Sequence, residues 1–417
     1  MSASQFSAVF AAFVIAALAW RTWLSWRHSR HVARHRAEVP ASFAAFVPLE
    51  AHHKAAAYTL DKQRLARVET IVADGIVVLA LTLGGGIAAI DAASARLFGE
   101  GYLRHLATVF AVLLASTAAS LPFDLWRTFA IEQRHGFNRM SARLFIGDLA
   151  KGLAVSAVVG APLLLAVFWL VEATGPLWWL YTWLAWMAFT LVLVVAFPRW
   201  IAPLFNRFTP LEAGQLRTRI ESLLARCGFR AEGLFVMDGS KRSSHGNAYF
   251  TGFGKTKRIV FFDTLIDRLS IEEIEAVLAH ELGHFARGHI PRMLAVRFAL
   301  ALVMLAVLGW LYQEPAFREA LHLQEPHIGA LLAGFALVIP AFTFPFQPLA
   351  SLMARKQEFE ADAYAARHAS AASLASALAK LYRDNASTLT PDPLHSLVYD
   401  SHPPAALRID HLRKASP

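Results

Sequence analysis

Seven apolar stretches recur along the chain, each close to the roughly 20 helical residues that cross about 30 Å of hydrocarbon. They cover approximately 6–26, 71–92, 105–125, 152–173, 177–198, 294–313 and 328–350. The sixth begins beside Arg292 and Arg297, whose long side chains can reach the interface while their stems stay in the apolar layer. Two long polar segments, 199–292 and 351–417, separate and follow these stretches. The expected organisation is five membrane helices in 1–198 with polar loops at 27–68 and 126–151, a polar domain in 199–292, two more membrane helices in 293–350, and the remainder of the polar domain in 351–417. The first apolar stretch has no basic residues before it and has them after it, so it reads as a retained span rather than a cleaved leader.

Within the polar segments the period changes. Pro198, Pro203 and Pro210 mark the exit from the fifth span, and a domain begins near Leu211. The run QLRTRIESLLARCGF has helical spacing, and GLFVMD reads as a short strand. NAYFTGF and RIVFFD flank Gly254 and Lys255 as the arms of a β-hairpin. SIEEIEAVLAHELGHFARGH opens with Ser270 and Glu273 at capping-box spacing and carries Ile271, Ile274, Val277 and Leu278 on one side, which predicts a helix with one buried face.

Composition supports the membrane reading. Hydrophobic residues make up 56% of the chain and charged ones 17%, against about 25% charged in soluble domains. The net charge of +9 does not point to nucleic acid, because the basic residues cluster beside apolar runs and no nucleic-acid module is present. Eight Lys and Arg lie in 27–68 and five in 126–151, while the opposite loops hold only Arg96, Arg104 and Arg318. Basic residues are retained on the cytoplasmic side, so the N-terminus is expected outside and both polar segments in the cytoplasm. Asp74, Asp124, Glu132 and Asp148, within or beside spans, are expected to face a water-filled interior or to serve helix packing. The single cysteine, Cys227, excludes an internal disulfide and an all-cysteine metal site.

The chemistry sits in His280, Glu281 and His284, an HExxH on the capped helix. Spacing of i,i+4 puts both imidazoles on one face, where they can chelate one zinc ion, with Glu281 as base for the hydrolytic water. A hydrolytic zinc site needs a third protein ligand. Position 290 is isoleucine, which excludes the pattern in which a histidine follows six residues after the second ligand. His289 lies about 140° off the ligand face if the helix continues at about 100° per residue, which suits a supporting or surface position. Glu358 in RKQEFEADAYA is the better third ligand. Asp362, one turn on, can hold the His280 ring from its other nitrogen.

Several segments together resemble the type I CAAX prenyl proteases, integral-membrane zinc metallopeptidases that process farnesylated proteins in yeast and animals. They are KAAAYTLDK, LPFDLWRTFAIEQRHGFNRM, IAPLFNRFTPL, GSKRSSHGNAYFTGFGKTKRIVFFDTLI, HELGH, EFEADAYA and SHPP, in family order along nearly the whole chain. The resemblance implies a mainly α, polytopic fold: seven transmembrane helices enclosing a water-filled chamber, capped by a gluzincin-like zinc metalloprotease domain with a small β-sheet. It implies zinc on His280, His284 and Glu358, Glu281 as base, Asp362 behind His280, and Asn247 and His402 as donors to the oxyanion. Arg408 matches the arginine that follows the family's HPP motif, and pairing with a nearby carboxylate is equally open to it. Ala354 stands where serine is usual and Glu360 where glutamine is frequent. The partners so implied are a peptide or protein substrate, prenylated in the family, and the lipid bilayer. The Ala-, Arg- and Leu-rich composition points to a bacterial inner membrane, where the substrate need not be prenylated. Two other readings use the same residues: a broad quality-control protease for membrane proteins, and a non-catalytic transporter or scaffold holding zinc.

Overall fold

A computed structural model describes residues 2–251, 258–323, 325 and 327–415. Among the described residues six helices are long and apolar enough to cross a membrane: Ala3–Arg34, Tyr102–Glu132, Ala142–Ala173, Gly175–Leu204, His289–Gln313 and Ile328–His368. A bent pair, Leu49–Leu81 and Gly86–Phe98, supplies the seventh, so the expected number of spans is met. The second span is not the uninterrupted 71–92 helix that the pattern suggested. It breaks at the glycine triplet 84–86 with a 58° bend, where Gly85 adopts φ +76, a conformation that costs glycine little and other residues much. The break exposes the Leu83 carbonyl, which His322 Nε2 engages at 2.7 Å.

In five of the six straight spans only 6–17% of the apolar window is buried within the chain, so these helices meet over narrow seams. The intramembrane carboxylates are paired: Asp74 with Arg21 at 2.7 Å, Asp124 with Arg127 at 2.6 Å and Asp148 with Arg242 at 2.8 Å. Glu132 accepts from Tyr58, and Asp91, which the sequence did not single out, binds Arg104 at 2.5 Å. Such pairing is what makes charge tolerable at membrane depth.

The peptidase-side domain contains a four-stranded sheet in the order β1-β2-β4-β3, with β1 Phe208–Pro210, β2 Gly233–Met237, β3 Ala248–Thr251 and β4 Arg258–Phe262. β2 and β4 are parallel and the other pairs antiparallel. The expected hairpin is β3 and β4, and its Gly254–Lys255 turn lies outside the described residues. β3 is an edge strand. The capped helix Ile271–Ala286 packs on the helix that carries Glu358. Its capping box is formed, with Glu273 N donating to Ser270 Oγ at 3.3 Å and Ser270 N to Glu273 Oε2 at 2.8 Å, an arrangement of about 0.5–2 kcal/mol. Leu278, Ala279 and Leu282 of this helix are fully buried in one core with Ile220, Phe261, Leu374 and Leu378. Phe43 and Val47 from loop 27–68 join that core, tying the membrane half to the catalytic half.

Candidate metal centre

The two segments far apart in sequence, 280–284 and 358–362, meet because Gly283 removes the side chain between their helices. A Cβ on Gly283 would lie 2.9 Å from Ala361 Cα and 3.1 Å from its carbonyl oxygen. With the helices this close, one nitrogen of His280, one of His284 and a carboxylate oxygen of Glu358 gather within 4.8 Å of one another. The three separations are 3.3 Å between the Nε2 atoms, 3.4 Å from His280 Nε2 to Glu358 Oε2, and 3.3 Å from His284 Nε2 to Glu358 Oε1.

These distances test whether a metal fits. Zinc bonds of about 2.0–2.1 Å place neighbouring tetrahedral ligands about 3.3–3.4 Å apart. The donor triangle therefore has tetrahedral edge lengths, and two histidines with one carboxylate is a donor set that leaves a fourth position open. Glu358 Oε2 is buried with no hydrogen-bond partner, although Arg408 Nη1 lies 3.2 Å away. A buried carboxylate oxygen left in that condition is costly, and a cation in the triangle relieves it. The residues present fit a divalent metal.

Each imidazole is held from behind. Asp362 Oδ1 lies 2.8 Å from His280 Nδ1, so Nδ1 donates and Nε2 keeps its lone pair for the metal. Asp362 is fully buried and receives two more bonds from Arg408, Nε at 2.8 Å and Nη2 at 2.6 Å. Of the two roles left open for Arg408, pairing with a carboxylate is the one seen, and it includes both Asp362 and Glu358. Burial works against the Arg408 charge, and Asp362 more than restores it, holding the guanidinium above its ordinary range.

Behind His284 stands His289, and its placement differs from the helical projection. The HExxH helix ends at Ala286, Gly288 takes φ +68, and a new helix starts at His289. This joint swings His289 back, with its Nδ1 2.9 Å from His284 Nδ1 and its Nε2 3.0 Å from Glu360 Oε2. One tautomer set satisfies the line: His284 Nδ1–H donates to His289 Nδ1, and His289 Nε2–H donates to Glu360. The supporting position is the correct part of the expectation; the 140° offset fails because the helix does not continue.

His402 Nε2 reaches 3.4 Å from Glu358 Oε1 while its side chain stays 61% exposed, so the ring borders the donor triangle and faces open space. Glu281 is half-buried on the HExxH helix and near enough to influence the His402 charge. Asn247 stands just before edge strand β3, and among the described residues no hydrogen bond or ion pair links it to the cluster. Its Oδ1 accepts from Ala248 N at 2.8 Å, which leaves Nδ2 as the outward donor. Asn385 brackets the preceding Gly246 with two bonds, 3.0 and 3.2 Å. Glu360, like Asn385, escaped a functional reading of the sequence. The glutamine usual at position 360 was the one signal for it.

A polytopic helical bundle in which an HExxH helix just before the sixth span meets a third carboxylate donor on the last one defines a membrane metallopeptidase. Residues 28–207 match the family model for the CAAX prenyl protease N-terminal region, five membrane helices, and residues 210–416 match peptidase family M48. The CAAX prenyl protease 1 homolog of Oryza sativa subsp. japonica is 36% identical, across 92% of this chain and 93% of that protein. CAAX prenyl protease 1 of Saccharomyces cerevisiae is 36% identical across 71% and 69%. The crystal structure of S. mikatae Ste24p superposes with a TM-score of 0.91 at 29% identity, covering 97% of this chain and 98% of that one. The chain belongs to peptidase family M48, among the CAAX prenyl proteases. These relatives are eukaryotic and lend no support to the bacterial source expected from composition.

Proposed function

We propose that this protein is a zinc endopeptidase that removes the C-terminal tripeptide of prenylated CAAX substrates, acting inside the membrane-bounded bundle. The observation that carries the chemistry is the donor triangle with tetrahedral edges on the HExxH helix. The substrate class rests on the near full-length similarity to proteins named for that activity.

Zinc held by His280, His284 and Glu358 would supply Lewis acidity and a water acidified to a pKa of about 7. Glu281 takes the proton of the attacking water and passes it to the leaving amine. His402 and the Nδ2 of Asn247 donate to the oxygen that becomes negative as the peptide carbon turns tetrahedral. Asp362 keeps His280 in its ligating tautomer. An extended substrate adds to the open edge of β3.

We read 1–198 and 293–350 as the membrane part, and 199–292 with 351–417 as one peptidase domain assembled from two stretches. The meagre burial of the spans supports an enclosed chamber between them. The basic loops support a cytoplasmic active site. Phe43 and Val47 of the first loop lie in the peptidase core, and Arg139 N of the second donates to Arg242 O at 3.1 Å.

The test is cleavage of a farnesylated CAAX peptide and its unfarnesylated twin by the full-length protein, with Glu281→Ala as control. Wild-type cleavage that favours the farnesylated peptide, together with a loss of about 10²–10⁴-fold in Glu281→Ala at unchanged zinc content, is expected. Equal turnover of the two peptides would reject the prenyl-specific reading and leave a broad protease. Undiminished turnover by Glu281→Ala would reject the mechanism.

A further inference from the structure

The helices Ala3–Arg34 and Leu49–Leu81 do not close against each other on their outward side. A groove of about 660 Å³ runs between them, lined by Ile15, Leu18, Ala19, Trp23 and Ile71 and reaching Trp26 and Arg67. Trp26 and Arg67 also line a second hollow of about 240 Å³ that continues along the same helices to Arg30 and Arg64. From Ile15 to Arg30 the helix rises about 22 Å at 1.5 Å per residue. One leaflet with its headgroup layer measures about 20–22 Å.

The groove changes character along that length. Its far end is apolar, its middle holds Trp23 and Trp26, the residue type that settles at the membrane interface, and its near end holds three arginines. These arginines are poorly neutralised. Arg67 Nη1 is pinned by hydroxyls, Ser29 Oγ at 2.8 Å and Ser25 Oγ at 3.2 Å. Arg30 lies 5.3 Å over the Trp26 ring. Arg64 has a 3.7 Å contact with Asp61, a carboxylate that Arg134 and His135 already hold at 3.0 Å each. The basic end is also the peptidase end, since Arg27 on the same helix binds Asp392 at 3.0 Å. That is the side the basic loops assign to the cytoplasm, where anionic lipids concentrate and basic pockets between spans hold their headgroups.

We propose that this groove is a binding site for one anionic phospholipid. An acyl chain lies along Ile15, Leu18 and Ile71 against Trp23, and Arg67, Arg64 and Arg30 take the phosphate. Apolar walls alone would accept any lipid; the poorly neutralised arginines at headgroup depth select the anionic one.

Native mass spectrometry of the full-length protein, offered equimolar phosphatidylglycerol and phosphatidylcholine in detergent, tests this. One phosphatidylglycerol adduct should survive at an energy that strips phosphatidylcholine. Arg30→Ala/Arg64→Ala, which spares the Arg67–serine bonds, should weaken that adduct by about fivefold per arginine while farnesyl-peptide cleavage stays unchanged. Ala19→Trp fills the apolar part without altering charge and should remove the adduct as well. Equal retention of both lipids, or an adduct indifferent to both variants, would overturn the proposal. Displacement of phosphatidylglycerol by a stoichiometric farnesylated peptide would overturn it too, by assigning the groove to the substrate's prenyl chain.

Discussion

Zinc affinity should depend steeply on pH, because the proton and the metal compete for one nitrogen of His280. In the metal-free protein burial alone would lower the pKa of His280, but the Asp362 hydrogen bond and the Glu358 carboxylate 3.4 Å away outweigh it and push it up to about 9. A ligating imidazole must be neutral, so at pH 7 zinc has to displace a proton held about two units above ambient, which suppresses apparent affinity about 100-fold. The His280 proton makes affinity climb at least tenfold per pH unit from 7, and its contribution ends near 9. Competition against a chromogenic zinc chelator gives the slope. Calorimetry at pH 7.5 in buffers of different ionisation enthalpy gives the proton count, expected to be at least one per zinc, with the acidified water adding to the proton displaced from His280. Stability follows the same group with a definite sign. A raised pKa means that the protonated form stabilises the fold, fully below the ordinary value of 6.5 and progressively less as pH rises toward 9. The metal-free protein should lose up to about 3 kcal/mol across that window, at about 1.4 kcal/mol per unit, and the zinc-loaded protein should not. Asp362→Asn removes the leading carboxylate and should shift the affinity slope to lower pH. A flat affinity between pH 7 and 8.5, or zinc uptake without proton release, would refute the assignment of His280 as a protonated, carboxylate-held ligand.

Gly283→Ala should force the ligand helices apart, since its Cβ meets Ala361 backbone at 2.9 Å; a loss of about 1–3 kcal/mol in thermal or denaturant unfolding and reduced zinc occupancy are expected, and wild-type occupancy would contradict the close-approach argument. Glu360→Leu and His289→Phe should each weaken zinc binding about 10–100-fold, whereas Glu360→Gln, which can still accept from His289 Nε2–H, should stay within a few-fold; equal damage by Gln and Leu would mean that charge rather than tautomer control matters. For substrate alignment the position of a proline decides the outcome. Phe262 N donates to Asn247 O, so in the antiparallel register Tyr249 faces Val260 as a hydrogen-bonded pair and Ala248 and Phe250 present their backbone groups outward. Tyr249→Pro should therefore break the hairpin itself, while Ala248→Pro should cut peptide turnover at least tenfold with zinc retained, read against Asn247→Ala; normal turnover by Ala248→Pro would reject edge pairing.

The parts legible in the sequence are those whose geometry is set within one element. Period and length revealed the spans, and i,i+4 spacing on a capped helix placed His280 and His284 together. Asp362 could be matched to His280 because it lies one turn from Glu358, on a helix that already had to approach the metal. What stayed hidden depends on backbone joints. The helical projection of His289 assumed a helix that Gly288 in fact ends, and the 71–92 span assumed continuity that Gly85 breaks. In both places one glycine at positive φ redirects a long helix, and hydrophobic period carries no trace of it. The partnership of Glu360 with His289 spans 71 positions and becomes visible only once the Gly288 joint is in place.

The Gly288 joint and the continuity of the last helix tie the chemistry to the membrane part. The helix that carries Glu358 and Asp362 is the continuation of the last span, Ile328–His368. The helix that carries His280 and His284 is separated from the sixth span only by Arg287 and Gly288. Neither polar segment holds a full ligand set: 199–292 supplies two histidines, and 351–417 supplies the carboxylate together with Asp362, His402 and Arg408. The donor triangle is therefore assembled from two helices, each continuous with or next to one of spans six and seven, at the separation that Gly283 permits. Arg408 closes the arrangement from the C-terminal helix, bonded to Asp362 and ion-paired with Glu358. A change in the relative tilt of the two spans would move the histidine pair against Glu358 and so alter the donor separations of 3.3–3.4 Å on which the fit to a metal rests.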